Sequence, residues 1–79
     1  MATKLKELDL AALRFDLPEH GLIAGDVGTV VLVHGDSEAF EIEFVAADGA
    51  TLGVVTLLAQ NIFPVDGRRI LHVRDLSTV

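Results

Sequence analysis

Leu17-Pro18-Glu19-His20-Gly21-Leu22-Ile23-Ala24-Gly25-Asp26-Val27-Gly28-Thr29-Val30-Val31 is the stretch from which the fold is read. Pro18, Gly21 and Gly25 punctuate a loop over Asp16–Gly25, because these residues set turns that other residues resist. Gly25-Asp26-Val27-Gly28-Thr29-Val30 then swings that loop into a β-branched run, and β-branched side chains favour a strand. Glycine at such a junction satisfies turn and bulge geometry. Gly21, Gly25, Asp26 and Gly28 are therefore the expected fold-defining turn. The pattern speaks to architecture and not to activity, since one fold hosts many unrelated functions.

Working outward, short strands alternate with turn signals about every eight to twelve residues, the rhythm of an all-β barrel. Asp9–Phe15 reads as a first strand with Leu8, Leu10 and Ala12 on one alternation, and Thr3–Leu8 before it has room for a helical turn. Val27–His34 is a nearly continuous apolar strand, and Gly35-Asp36-Ser37 turns the chain. Phe40, Ile42 and Phe44 alternate with Glu41 and Glu43, which gives a half-buried strand with an acidic outer face. Asp48-Gly49 signals a two-residue type I′ hairpin into a partner strand over Thr51–Leu58. Gln60-Asn61-Ile62 reads as a single helical turn before a last barrel strand, Ile62–Val65, which Pro64 confines to an edge or an end. Asp66-Gly67 is a second hairpin signal, with Ile70, Leu71 and Val73 as a further strand. The expected fold is all-β: one domain over 1–79, a small SH3-like barrel of about five strands over 9–65, and an added C-terminal hairpin strand over 68–75. That strand covers the open edge of the barrel or pairs with another copy.

The bulk numbers exclude more than they assign. At 79 residues there is room for one core, and a domain so small buries only about 60% of the surface its unfolded chain exposes. Hydrophobic residues make up 51% of the chain and mean hydropathy is +0.50. One small core cannot hide all of that, which points to a buried sheet edge or a self-association surface. The absence of cysteine excludes a disulfide framework and a Cys-based zinc site. Met1–Glu7 has basic residues but no apolar run of signal-peptide length behind it. No apolar run nears the about 20 residues of a membrane helix, so cytoplasmic residence without a membrane partner is expected.

Between Arg14 and Arg68 there is no Lys or Arg, while Asp16, Glu19, Asp26, Asp36, Glu38, Glu41, Glu43, Asp48 and Asp66 all fall there. The body is acidic and the two ends are mildly basic.

Leu17-Pro18-Glu19-His20-Gly21-Leu22, Gly25-Asp26-Val27-Gly28-Thr29-Val30-Val31 and Phe40-Glu41-Ile42-Glu43-Phe44 resemble a family of small bacterial proteins known only as a domain of unknown function. The resemblance runs from Leu10 to Val65 and ends in Leu57-Leu58-Ala59-Gln60-Asn61-Ile62. Phe40 and Ile42 stand where the family has Tyr and Val, and residues 66–79 lie outside its pattern. The resemblance implies an SH3-like barrel and a bacterial origin. It implies no activity and no catalytic residue.

Several motifs are weighed against structural readings. The glycine turn is similar to the short KOW motif of ribosome- and transcription-associated barrels. Nucleic-acid affinity, however, rests on cations that neutralise phosphates, and this body offers carboxylates instead. There is no Tyr or Trp to stack on bases, and the four Phe read as core, so no nucleic-acid partner is expected. His20, His34 and His72 lie near turns, and His34, Asp36 and Glu38 share a face only if the turn between them were a regular strand. They read as solvated, with no metal or cofactor. Ser37 has no nucleophile elbow around it. Gly49 and Gly53 lack the lysine of a phosphate loop. Glu41 and Glu43, about 7 Å apart along one strand face, read as a solvated face and not as an acid–base pair.

The expected function is a non-catalytic protein-interaction module that self-associates, with Arg69, Leu71 and Val73 on the exposed C-terminal strand as the contact. The alternative is a small acidic antitoxin or immunity-type inhibitor of a basic partner, steered by the face that carries Glu41 and Glu43. A KOW-like ribosome-associated domain is a further alternative.

Overall fold

The computed structural model describes residues 5–76. Five antiparallel strands form one sheet: β1 (Leu10–Leu13), β2 (Val27–His34), β3 (Ala39–Val45), β4 (Thr51–Leu58) and β5 (Ile62–Pro64). Their order is β4-β3-β2-β1-β5. Single 3-10 turns at Pro18–His20 and Ala59–Asn61 complete the regular structure of the described residues. This is the expected all-β fold of five strands, small and barrel-like. Its curvature shows in the core, where Ala11 and Leu13 of β1 share one buried cluster with Phe40, Ile42 and Phe44 of β3. Those strands flank β2 on opposite sides, so a flat sheet would hold them apart.

Gly28 is where the bend is possible. In β2 it pairs with Ala11 of β1, and a Cβ there would lie 2.5 Å from Ile42 Cγ2 and 2.8 Å from the Glu43 carbonyl oxygen. No side chain fits between those atoms. A bulge at Val31 then resets the alternation, so that Val30 opposes Ile42 and Val33 opposes Phe40, both towards the core. Leu57 of β4, Ile62 of β5, Leu22 of the long loop and Leu5 close the cluster. Among the described residues no polar or charged side chain is buried, so the core coheres through apolar burial alone.

The long loop is built by two of its carboxylates. Asp16 Oδ1 accepts from the Ala24 N–H and Asp26 Oδ2 from the Ile23 N–H, each at 2.9 Å. The Asp26 N–H donates to the Ile23 carbonyl at 3.0 Å, with Gly25 third in that turn at φ +92°, a left-handed position that suits glycine. Leu17 and Leu22 pack inward, whereas Ile23 is exposed.

Several expectations need correction. The added C-terminal strand over 68–75 does not form. Asp66-Gly67 makes a turn, with the Arg69 N–H donating to the Asp66 carbonyl at 3.2 Å, but no ladder follows. The two residues do carry a hairpin signal, but a strand also needs a partner edge, and β5 ends at Pro64. The core face of β1 is Ala11 and Leu13, not Leu8, Leu10 and Ala12. Leu8 instead sits exposed at φ +76° in a turn where the Asp9 N–H donates to the Lys6 carbonyl. That turn takes the place of the helical turn over Thr3–Leu8, of which residues 3 and 4 lie outside the described residues. The Asp48-Gly49 loop is not type I′. Only Gly49 is left-handed, and a bond from the Gly49 N–H to the Ala46 carbonyl gives a three-residue loop. Of the four Phe, Phe40 and Phe44 are core, Phe63 is half-buried and Phe15 is exposed.

Gly28→Ala is expected to lower stability by about 2–3 kcal/mol, the scale of overpacking a fitted interior. Urea unfolding followed by circular dichroism measures it, and an unchanged midpoint would refute the close-approach account.

Candidate functional site

Three surface features carry chemistry: the outer face of β3, the β4 edge, and the C-terminal segment laid against the Gly25-Asp26 turn.

On β3, strand alternation turns Glu41 and Glu43 away from Phe40, Ile42 and Phe44. The cross-strand partner of Glu41 on β4 is Thr56, whose Oγ1 donates to Glu41 Oε2 at 2.7 Å. His34 Nε2 lies 2.7 Å from the same oxygen. The His34 contact, then the Thr56 hydroxyl, hold the Glu41 carboxyl below its ordinary range. Glu43 accepts from Thr51 Oγ1 at 3.2 Å. The expected solvated acidic face is therefore a cross-strand row of hydrogen bonds. Asp36 and Glu38 do not join His34, and among the described residues no three His, Cys, Asp or Glu side chains converge as metal ligands would.

The C-terminal segment crosses the barrel and is fastened by Arg74. Its Nε donates to Asp26 Oδ1 at 2.9 Å and its Nη2 to Asp26 Oδ2 at 2.6 Å, a two-pronged pair. Nη2 also donates to the Gly21 carbonyl at 3.2 Å. The Arg74 guanidinium is the main cause that lowers the Asp26 carboxyl, reinforced by the Ile23 N–H and opposed by partial burial. A cavity of about 500 Å³ lies between this segment and the barrel, lined mainly by apolar side chains such as Leu10, Leu22, Val45, Leu52, Leu71 and Leu76.

Arg69 sits elsewhere. Its guanidinium carbon lies 4.9 Å from the centroid of the Phe63 ring, and that of Arg14 lies 5.1 Å from it. Arg14 Nε also donates to the Ile62 carbonyl at 3.2 Å. Arg69, Leu71 and Val73 thus do not share a strand edge. Arg69 packs on β5, Leu71 lines the cavity, and Val73 is 90% exposed at its rim.

Among the described residues the sheet ends in two edges, β5 and β4. β5 is three residues long and ends in Pro64. β4 has eight residues, Thr-Leu-Gly-Val-Val-Thr-Leu-Leu, and neither a charge nor a proline. Leu52, Val54 and Leu58 on it are each about half exposed.

Of the four residues read as one turn, Gly21 caps the Pro18–His20 turn, Gly25 and Asp26 complete the turn that starts at Ile23, and Gly28 lies within β2. Sequence reasoning missed that Asp26 and the Gly21 carbonyl also form a receptor for Arg74. The available signal was a lone arginine in the apolar run Ile70-Leu71-His72-Val73-Arg74, facing an acidic body.

A family model described as domain of unknown function (DUF4926) matches residues 7–64, which include all five strands and Asp26 but not Arg74. No curated protein and no solved structure matches the chain.

The Asp26 carboxyl titrates lower when folded than when unfolded, so its pair stabilises fully above the ordinary aspartate range near ~3.9. That contribution fades as pH falls through the lowered folded value. Urea midpoints of the unaltered chain and Asp26→Asn are expected to differ at about pH 6 and to converge as pH falls through the lowered folded value of Asp26. A gap that persists undiminished in acid would refute the ionic origin.

Proposed function

We propose that this chain, which belongs to the DUF4926 family, is a non-catalytic protein-interaction module that self-associates by pairing β4 with β4 of a second copy. The observation that carries this is the undefended edge. An edge strand presents unpaired N–H and C=O groups, and proteins commonly blunt it with Lys, Pro or brevity. β5 has brevity and Pro64, while β4 has none of the three. The shift in register at Phe44/Val45 leaves Leu52 as a bulge at one end, so Gly53–Leu58 is the regular pairing stretch.

Charge also favours a copy of the same chain. The formal net charge is −6, yet residues 49–65 contain no ionisable side chain. Two acidic copies approach with least repulsion along that strip. An isologous two-fold contact places β4 antiparallel to itself and extends the sheet through both molecules. Val54, about half exposed and opposite Glu43, lies near the middle of the strand.

A second reading, inhibition of a basic partner, is favoured by the exposure of Glu19, Glu38 and Asp48 on a body without Lys or Arg. Such a surface speeds encounter with a cationic partner.

Size-exclusion chromatography with light scattering over a dilution series is expected to give a dimer for the unaltered chain and a monomer for Val54→Lys, with unchanged circular dichroism. A monomer for the unaltered chain at every concentration would refute edge pairing. For the second reading, Glu41→Lys with Glu43→Lys is expected to weaken capture of a basic partner at low salt and to flatten its salt dependence. A complex indifferent to that reversal would argue against steering.

A further inference from the structure

The segment that Arg74 fastens has little else to hold it. Among the described residues no backbone–backbone hydrogen bond reaches residues 70–76. Ile70 is 95% exposed, and Val73 nearly as much. The attachment is one guanidinium with three polar contacts on the barrel, flanked by Leu71 and Leu76 against the cavity.

The receptor is built without the arm. Asp26 is oriented by the Ile23 N–H and by its own turn, and Gly21 is the left-handed cap of the Pro18–His20 turn. The carboxylate and the Gly21 carbonyl meet a planar two-pronged donor, which selects arginine over lysine. Beside them lie Leu10, Leu22, Val45 and Leu52, a wall for aliphatic side chains. Every one of these residues falls within the stretch matched by the family, and the arm falls beyond it.

We propose that this groove is a docking site for an extended segment of another protein that carries an arginine between aliphatic residues, and that the C-terminal arm occupies it in cis as a pseudo-ligand. The arm displays the chemistry the groove reads: Leu71-His72-Val73-Arg74-Asp75-Leu76, with a cation for Asp26 and leucines on either side. Acidic Asp26 on an acidic body disfavours an anionic or purely apolar occupant. Tethering gives the arm a high effective concentration, so a free segment must displace it before it can bind.

The test uses the full chain with Arg74→Ala, which empties the receptor, and a fluorescein-labelled peptide of the sequence of residues 68–76. Fluorescence polarisation is expected to show binding to the Arg74→Ala chain and at least ~10-fold weaker binding to the unaltered chain. Asp26→Asn added to Arg74→Ala is expected to abolish binding. Because that variant also touches a turn, a peptide in which lysine replaces only the arginine corresponding to Arg74 provides a control that leaves the barrel untouched, and it is expected to bind more weakly. No binding to the Arg74→Ala chain, or equal binding of the arginine and lysine peptides, would overturn the docking site. Equal binding by the unaltered and Arg74→Ala chains would overturn the occupation in cis. The readout is peptide binding and not mass, so its failure is distinct from failure of β4 pairing.

Discussion

A Cβ has no room at position 28, and the rest of the barrel depends on that constraint. Ile42 and the Glu43 backbone lie against the Gly28 Cα so closely that any side chain would push β2 and β3 apart. With the strands at contact, β1 folds over β3, and Ala11 and Leu13 are buried in one cluster with Phe40, Ile42 and Phe44. The bulge at Val31 repeats the same economy of space, because one extra residue restores the inward alternation after the bend. A core this small, made of apolar contacts alone, tolerates little change, since interiors are close-packed and single methylenes are felt.

The few cations of the chain act as fasteners on an acidic body. Arg14 and Arg69 hold to Phe63 and the β5 backbone, and Arg74 holds the C-terminal segment to Asp26. The carboxylates of β3 are used in a comparable way, with Glu41 and Glu43 bonded across to β4 hydroxyls. Charge here joins parts of one molecule, whereas the uncharged β4 edge and the groove beside Asp26 are the surfaces with capacity left for another. The two differ in kind: an edge offers main-chain hydrogen bonds along a strand, and the groove offers one oriented carboxylate with an apolar wall.

Much of the architecture was legible in local pattern. Phe40, Ile42 and Phe44 alternating with Glu41 and Glu43 marked a strand with two faces, and β3 has Phe40, Ile42 and Phe44 buried with Glu41 and Glu43 on the other side. Pro64 marked β5 as an edge strand. The Gly25 turn was legible because a left-handed residue at that point leaves a compositional trace. Where the reading failed, the local pattern was compatible with more than one tertiary arrangement. The alternation Leu8-Leu10-Ala12 suited a strand as well as Ala11-Leu13 did, and only packing against β3 chose between them. Ile70-Leu71-Val73 had strand composition, but a strand is stabilised by the neighbour it pairs with, and none was offered. Arg74 and Asp26 lie 48 residues apart, so the local pattern that marks the arginine does not say which carboxylate it meets.

By itself, then, the sequence determined the secondary structure of the barrel, its acidic outer row and the turns that glycine permits, because each rests on residues within a few positions of one another. Tertiary structure alone decided three things: which face of β1 is buried, which edge is left open, and that Asp26 is both a turn residue and the receptor of an arginine. Those are outcomes of chain segments meeting at a distance. Their energies depend on surfaces that exist only once the sheet has closed over Gly28.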